Sequence, residues 1–346
     1  MHFRSYQDLI VALSQWQQVW PRDFTVICGL PRSGLLVANI LALQWNLPLT
    51  DPENLAAGRL LAVGERLGHI SPPQFLKMRQ KILVIDDSVH GGGTLRKARA
   101  ILASVASQHE LHFAAVYASP EGLAHVDFAA ETIPLPRVFE WNLFHHPLLA
   151  RACMDIDGVL CPDPAEHEND DGPRYREFLC SGAPRHIPSM KVGWLVTSRL
   201  EKYRRQTEVW LQRHGVVYEQ LLMLDLPDQA TRIATKGGPA FKAQQYRRSG
   251  AQLFIESDPN QARFIAEQAQ NYVICTDTMQ IFGPGLIAKT MLHARRQLFH
   301  TVPSQLMIWR NRVRRAIKLL GGSSRPGYAH ATASELRSPF PPSSGT

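Results

Sequence analysis

What the chain lacks narrows its class before any motif is read. No stretch approaches about 18 uninterrupted apolar residues, and no charged region leads into a long apolar core at the N-terminus. Membrane spanning and secretion are both disfavoured, and a cytoplasmic location is expected. Cysteine is scarce: Cys28, Cys153, Cys161, Cys180 and Cys275 make an odd number with no Cys-x-x-Cys spacing, which argues for buried thiols rather than a disulfide framework. Acidic residues are missing from the whole interval between Asp277 and Glu335, which holds nine basic ones. The net charge of +8 is therefore local, because outside that interval 29 basic residues face 30 acidic ones. No internal repeat is visible. Nothing ahead of Phe24 reads as a helix-turn-helix, and no nucleic-acid partner is expected.

What is present suffices for two domains: 346 residues, 45% of them hydrophobic. The stretch ILVIDDSVHGGGTL, from Ile82 to Leu95, starts as a continuous apolar run of the kind buried on both faces of a parallel sheet. It passes through Asp86 and Asp87 into glycines, then into a helical pattern from Thr94. A glycine loop that feeds a helix N-terminus at the carboxyl end of a strand aims backbone N–H groups at an anion. Two adjacent carboxylates would repel that anion directly, so they face something neutral or cationic beside it, such as sugar hydroxyls or a magnesium ion. A sugar phosphate satisfies both halves. A second strand and loop precede these: Phe24 to Cys28 is β-rich, Gly29 to Gly34 reads as a turn, and Leu35 to Trp45 as an apolar helix.

GLPRSGLLVA resembles the pyrophosphate loop of type I phosphoribosyltransferases, and VIDDSVHGGGT, about 55 residues on, resembles their 5-phosphoribosyl-1-diphosphate (PRPP) motif. The resemblance implies that Asp86 and Asp87 hold the ribose hydroxyls. His90, Gly91, Gly92, Gly93 and Thr94 would cradle the 5-phosphate, and Arg32, Ser33 and Gly34 would bind the diphosphate with magnesium. Many relatives carry hydroxyl or acidic residues where His90 and Gly91 stand. His90 is thus open to two roles, general base toward an incoming nucleophile or simple donor to the phosphate. No segment after Ser119 reads as a nucleobase-recognition hood.

A further strand is expected from Ala152 into Asp155-Ile156-Asp157-Gly158-Val159-Leu160, where alternation would point Asp155 and Asp157 to one side. DIDGVL resembles the first motif of haloacid dehalogenase (HAD)-superfamily phosphatases, and later motifs follow in that family's order. Gly193 to Ser198 reads as a strand ending in hydroxyls, Lys242 lies 14 residues before Glu256, and Phe254 to Asp258 as a strand with an acidic end. The resemblance implies that Asp155 attacks phosphorus and Asp157 protonates the leaving oxygen. Thr197 would bind the phosphoryl group, and Lys242, with Lys236 as its rival, would neutralise charge. Asp155, Asp157, Glu256 and Asp258 would hold magnesium. The insert from Cys161 to Val192 is too short for a large cap, so the cleft would stay open.

The expected architecture is therefore α/β, with two open, mostly parallel Rossmann-like sheets. The phosphoribosyltransferase-like domain spans residues 1–147 and the HAD-like domain with its small cap 148–284. A basic amphipathic segment, 285–320, and a disordered tail, 321–346, follow. The aromatic connection Glu140 to Pro147 predicts domains packed in a fixed arrangement, with His145 and His146 in that packing. This pairing resembles the dual-domain ribofuranosyltransferases of bacterial surface-polysaccharide assembly. It implies transfer of phosphoribose from PRPP to a glycan acceptor, lipid-linked in that setting, followed by removal of the 5-phosphate. In the basic segment Trp309, Val313, Ile317 and Leu320 share one helical face among arginines, a pattern suited to an anionic membrane surface. The alternatives are a nucleobase phosphoribosyltransferase fused to a nucleotidase, and a non-catalytic PRPP sensor.

Overall fold

The computed structural model describes residues 1–16, 23–64, 71–235 and 237–284. The basic segment, the tail and Lys236 lie outside these residues. In chain order the first elements are β1 (His2–Arg4), α1 (Tyr6–Trp16), β2 (Val26–Gly29), α2 (Ser33–Trp45), β3 (Leu49–Thr50), α3 (Pro52–Ala56), α4 (Pro72–Lys77), β4 (Lys81–Val89), α5 (Gly93–Leu102), β5 (Glu110–Ala118), β6 (Phe128–Thr132) and β7 (Arg137–Phe139). Strands β3-β2-β4-β5-β6 form a sheet that is parallel throughout. Its central strand explains the apolar run. Ile82 and Val84 pack on one face with Leu95, Ala98 and Leu102 of α5, while Leu83 and Ile85 pack on the other with Leu9 and Leu13 of α1 and Val37 and Leu41 of α2. Burial on both faces leaves no polar side, as the sequence implies. The strand is longer than expected, because its pairing with β5 continues through Asp86 and Ser88 to Val89. The paired aspartates are strand residues, and the loop begins only at His90.

The connection consists of two 3₁₀ segments, Glu140–His145 and Pro147–Arg151. The second lobe follows with β8 (Ala152–Met154), α6 (Pro173–Ser181), β9 (Val192–Leu200), α7 (Arg204–Arg213), β10 (Tyr218–Leu224), α8 (Gln229–Ala234), α9 (Gly237–Ser249), β11 (Leu253–Glu256), α10 (Pro259–Ala269), β12 (Val273–Cys275) and β13 (Gln280–Phe282). Its sheet runs β10-β9-β8-β11-β12-β13, parallel except for the antiparallel edge strand β13. One face buries Met154, Leu195 and Ile255 against α6 and α7, the other Cys153, Val196 and Phe254 against α9 and α10. The small parallel pair β1–β7 contributes Phe3 and Val138 to the first of these cores, together with Leu143 and Leu149 from the connection. Both sheets accordingly lie within one unit, Met1–Leu286. The two sheets share this apolar packing. Cys28, Cys153, Cys161 and Cys275 are buried free thiols and Cys180 is half-buried and free. Among the described residues no helix is long and apolar enough to cross a membrane.

One expected strand is shorter than its apolar pattern. β8 stops at Met154, and the chain then turns, with the Val159 and Leu160 N–H groups donating to the Ile156 carbonyl. Asp155 and Asp157 are brought to one side by this turn and not by strand alternation. The Asp155 N–H still donates to the Ile255 carbonyl at 3.0 Å, while its carboxylate accepts the Ile156 N–H at 2.8 Å.

Candidate active sites

The first site is assembled where β2 ends beside β4, in register at Gly29 and Ile85, and β4 runs on to Val89. Gly34, near the start of α2, presses against β4. A Cβ on it would stand 2.8 Å from the Ile85 carbonyl oxygen and 2.9 Å from an Asp86 carboxylate oxygen, so only glycine lets this loop reach the aspartates. Ser33 Oγ donates to Asp87 Oδ1 at 2.7 Å, and Trp141 Nε1 donates to Asp87 Oδ2 at 2.8 Å from the opposite side. The Asp87 N–H donates to Asp86 Oδ1 at 2.9 Å. Burial, reinforced by the neighbouring Asp87 charge, pushes the Asp86 carboxyl up to about 8.

Past Val89 the chain leaves the sheet, and a cavity of about 170 Å³ opens among Asp86, Ser88, His90, Gly91, Gly92, Gly93 and Thr94. Gly92 has φ +65°, and a Cβ there would run into the ring of His125, so the tightness of this loop depends on glycine. Gly93 and Thr94 open α5, whose first N–H groups face the cavity end of the loop, an arrangement suited to an anion. His90 Nδ1 lies 2.8 Å from Ser119 Oγ and 3.7 Å from Glu121 Oε2. The structure thus joins Ser33, Gly34, Asp86 and Asp87 in one contact set and Asp86 with the His90–Thr94 loop in one cavity. Arg32 stands exposed at the head of α2.

The second site is a cavity of about 410 Å³ that Asp155, Asp157, Thr197, Lys242, Glu256 and Asp258 all line. These residues come from the ends of β8 and β11, from within β9 and from α9. Lys242 Nζ donates to Asp155 Oδ2 at 2.5 Å, to Glu256 Oε2 at 2.8 Å and to Gln261 Oε1 at 3.0 Å. Burial alone would lower the Lys242 pKa, but the two carboxylates outweigh it and raise it. Asp258 caps α10, its Oδ1 accepting the Asn260 and Gln261 N–H groups at 2.8 Å each. Two acidic residues of the Cys161 to Val192 insert, Asp170 and Asp171, also have structural partners. Asp170 accepts the Gly172 and Tyr175 N–H groups at the start of α6, and Asp171 accepts from Lys202 and Tyr203.

Arg199 is the residue that reading the motifs misses. Its side chain is 1% exposed, and Nε reaches both Asp157 oxygens at 3.1 Å while Nη2 reaches Oδ1 at 2.6 Å. Burial lowers the Arg199 pKa, and Asp157 more than offsets it, so the group is raised. A proton donor at Asp157 needs a hydrogen on its carboxyl group, whereas here both oxygens accept from the guanidinium. The available signal was a lone cation inside the apolar strand Val192–Leu200, two residues beyond Thr197. Trp141 was legible only as part of an aromatic connection. His145 bonds Ser189 Oγ at 2.8 Å and His146 accepts the Leu148 N–H at 3.1 Å, the packing roles expected of them.

The donors around the second cavity are all oxygens, and Asp155, Asp157, Asp163, Glu256 and Asp258 outnumber the cations beside them, which suits a hard divalent ion. Among the described residues no three His, Cys, Asp or Glu side chains stand together as a metal-binding group, since Lys242 lies between Asp155 and Glu256. The donor chemistry fits magnesium, with the lysine sharing the site.

Residues 5–149 match the family model for the phosphoribosyl transferase domain. Among solved structures the chain is similar to the Helicobacter pylori xanthine-guanine-hypoxanthine phosphoribosyltransferase, with 19% identity, 40% of this chain and 92% of that one covered, and a TM-score of 0.30. A purine phosphoribosyltransferase from Pyrococcus horikoshii gives 16% identity, 40% and 92% coverage, and a TM-score of 0.31. Leishmania donovani UMP synthase gives 19% identity, 39% and 27% coverage, and 0.27. No curated protein matches the chain. The first lobe is a phosphoribosyltransferase-type domain, and the family match ends where the second lobe begins.

Proposed function

We propose that this phosphoribosyltransferase-type domain transfers 5-phosphoribose from PRPP to a glycan acceptor, and that the second lobe then removes the 5-phosphate to leave a ribofuranosyl residue. The observation that carries the reading is the close approach of Gly34 to Asp86, which unites a diphosphate loop, a hydroxyl-binding carboxylate pair and a phosphate loop at one sheet edge. In the transfer, an acceptor hydroxyl oxygen bonds to C1 of the sugar, the bond from C1 to diphosphate breaks, and the diphosphate leaves with the electron pair. Asp86 and Asp87 orient the ribose through its hydroxyls, the His90–Thr94 loop holds the 5-phosphate, and Arg32 with Ser33 and Gly34 meets the leaving group. His90 takes the hydroxyl proton, and the Ser119 contact at 2.8 Å fixes its ring.

In the second lobe Asp155 attacks phosphorus, the bond to the sugar oxygen breaks, and water later hydrolyses the aspartyl phosphate. Thr197 and Lys242 bind the phosphoryl oxygens. For Asp157 to protonate the leaving oxygen, its carboxyl group must first take a proton from solvent and give up the Arg199 contacts. Magnesium, held by Asp155, Asp157, Glu256 and Asp258 and beside the diphosphate in the first site, would supply charge neutralisation to both reactions. The reading places the protein in the cytoplasm, with residues 285–320 as a peripheral contact to the membrane on which a lipid-linked acceptor resides.

The test is mass spectrometry of products formed by the Asp155→Asn variant from PRPP and magnesium, offered glycosides and nucleobases in parallel. A phosphopentose added to a glycoside, and converted to a pentose by loss of its phosphate when wild-type protein is supplied, supports the two-step reading. Addition only to a nucleobase replaces it with a salvage enzyme fused to a nucleotidase.

A further inference from the structure

We infer that Trp141 is a positioning residue of the PRPP site, and that the second lobe supplies the seat which holds it there. The inference rests on reading Asp86 and Asp87 as the ribose-binding pair. An ionised carboxylate offers about four lone-pair sites. Ser33 takes one on Oδ1 and the Trp141 indole takes one on Oδ2, at 2.7 and 2.8 Å, which fixes the plane of the Asp87 carboxylate beside Asp86. Ser33 comes from the diphosphate loop, at the first residue of α2. Trp141 is anchored independently. Its ring lies 4.8 Å from Phe139 at 9° and 6.4 Å from Tyr117 at 20°, both of them buried.

The segment that carries Trp141 ends on the other lobe. Phe144 stacks on His186 at 4.6 Å and 10°, the Ser189 N–H donates to the Phe144 carbonyl at 3.1 Å, and His145 Nδ1 meets Ser189 Oγ at 2.8 Å. Leu143, between the two ends, is buried in the core of the second lobe. The six-residue 3₁₀ segment Glu140–His145, two turns long, is fixed at Phe144 and His145 on the other lobe, so the transferase carboxylate is oriented by a contact that the transferase lobe alone does not complete. The fusion of the two lobes then has a physical consequence besides proximity.

The experiment measures PRPP affinity by calorimetry, with magnesium present, on the full chain. Trp141→Phe keeps the stacked ring and removes the N–H donor, and the affinity should fall about tenfold, the loss of one hydrogen bond to a charged acceptor. Hydrolysis of p-nitrophenyl phosphate by the second lobe should be unchanged. The double variant His186→Ala/Ser189→Ala alters no residue near the PRPP site and should weaken PRPP binding several-fold, which keeps the inference testable if Trp141→Phe does not fold. In wild-type protein labelled with ¹⁵N-tryptophan, Asp87→Asn should shift the Trp141 indole N–H resonance. PRPP affinity equal to wild type in Trp141→Phe or in the seat variant overturns the inference. Absence of PRPP binding by the wild-type chain overturns instead the reading of the first lobe on which it stands.

Discussion

A carboxyl group buried beside another is held in place against its own solvation, and Asp86 is in that position, with burial first and Asp87 second pushing it up to about 8. Its unfolded value lies near 4, so between these limits the folded chain binds the extra proton and stability falls as pH rises from about 4 to about 8. Asp86→Asn removes the titrating group and should flatten that slope, leaving the variant more stable than wild type above pH 8 in urea unfolding while it binds PRPP poorly. Arg199 gives the opposite case. Its guanidinium is buried against the half-buried Asp157, and taking it away leaves that carboxylate without its partner, so Arg199→Met should cost about 1–3 kcal/mol of stability. Adding Asp157→Asn should restore much of that loss, an outcome that separates ion pairing from packing.

At the scale of elements, the approach of α2 to β4 is controlled by one missing side chain. Gly34→Ala would place a methyl group against the Ile85 carbonyl and Asp86, and because one of these is backbone the helix start must move away. Calorimetry should then show PRPP binding weakened at least tenfold, while hydrolysis of p-nitrophenyl phosphate stays at the wild-type rate. This contact also marks what a sequence can disclose. The loops and acidic strand ends were legible because glycine, paired aspartates and continuous apolar runs each have one dominant structural use, and so the sheets and the motif residues around both cavities could be anticipated. The turn after Met154 was not, because an apolar run does not mark where sheet pairing gives way to the bonds of Val159 and Leu160 to the Ile156 carbonyl. Arg199 and Trp141 escaped for a related reason. Their partners, Asp157 and Asp87, lie 42 and 54 residues away in the chain, and no local periodicity encodes such a pairing.

Across the whole molecule, the two cavities sit on different sheets, and the walls that describe each share no residue. Under the proposed two-step reaction, the product of the first has to leave one site before its 5-phosphate can reach Asp155. The insert over the second cavity contributes only Asp163, Pro164, Asn169 and Tyr175 to its lining, a small cover for a phosphate carried on a bulky glycan. Under the proposed two-step reaction, a chain defective in the first site should rescue one defective in the second. Asp87→Asn and Asp155→Asn proteins, each unable to form the ribofuranosyl product alone, should form it when mixed with PRPP, magnesium and acceptor. The rate of phosphate loss from the phosphoribosylated intermediate, followed by mass spectrometry, should rise linearly with the concentration of the Asp87→Asn chain. Failure of the mixture, with each protein still competent at its intact site, would mean that the intermediate passes between the lobes of a single chain without release, and that the contacts around Trp141 and Phe144 serve to direct it.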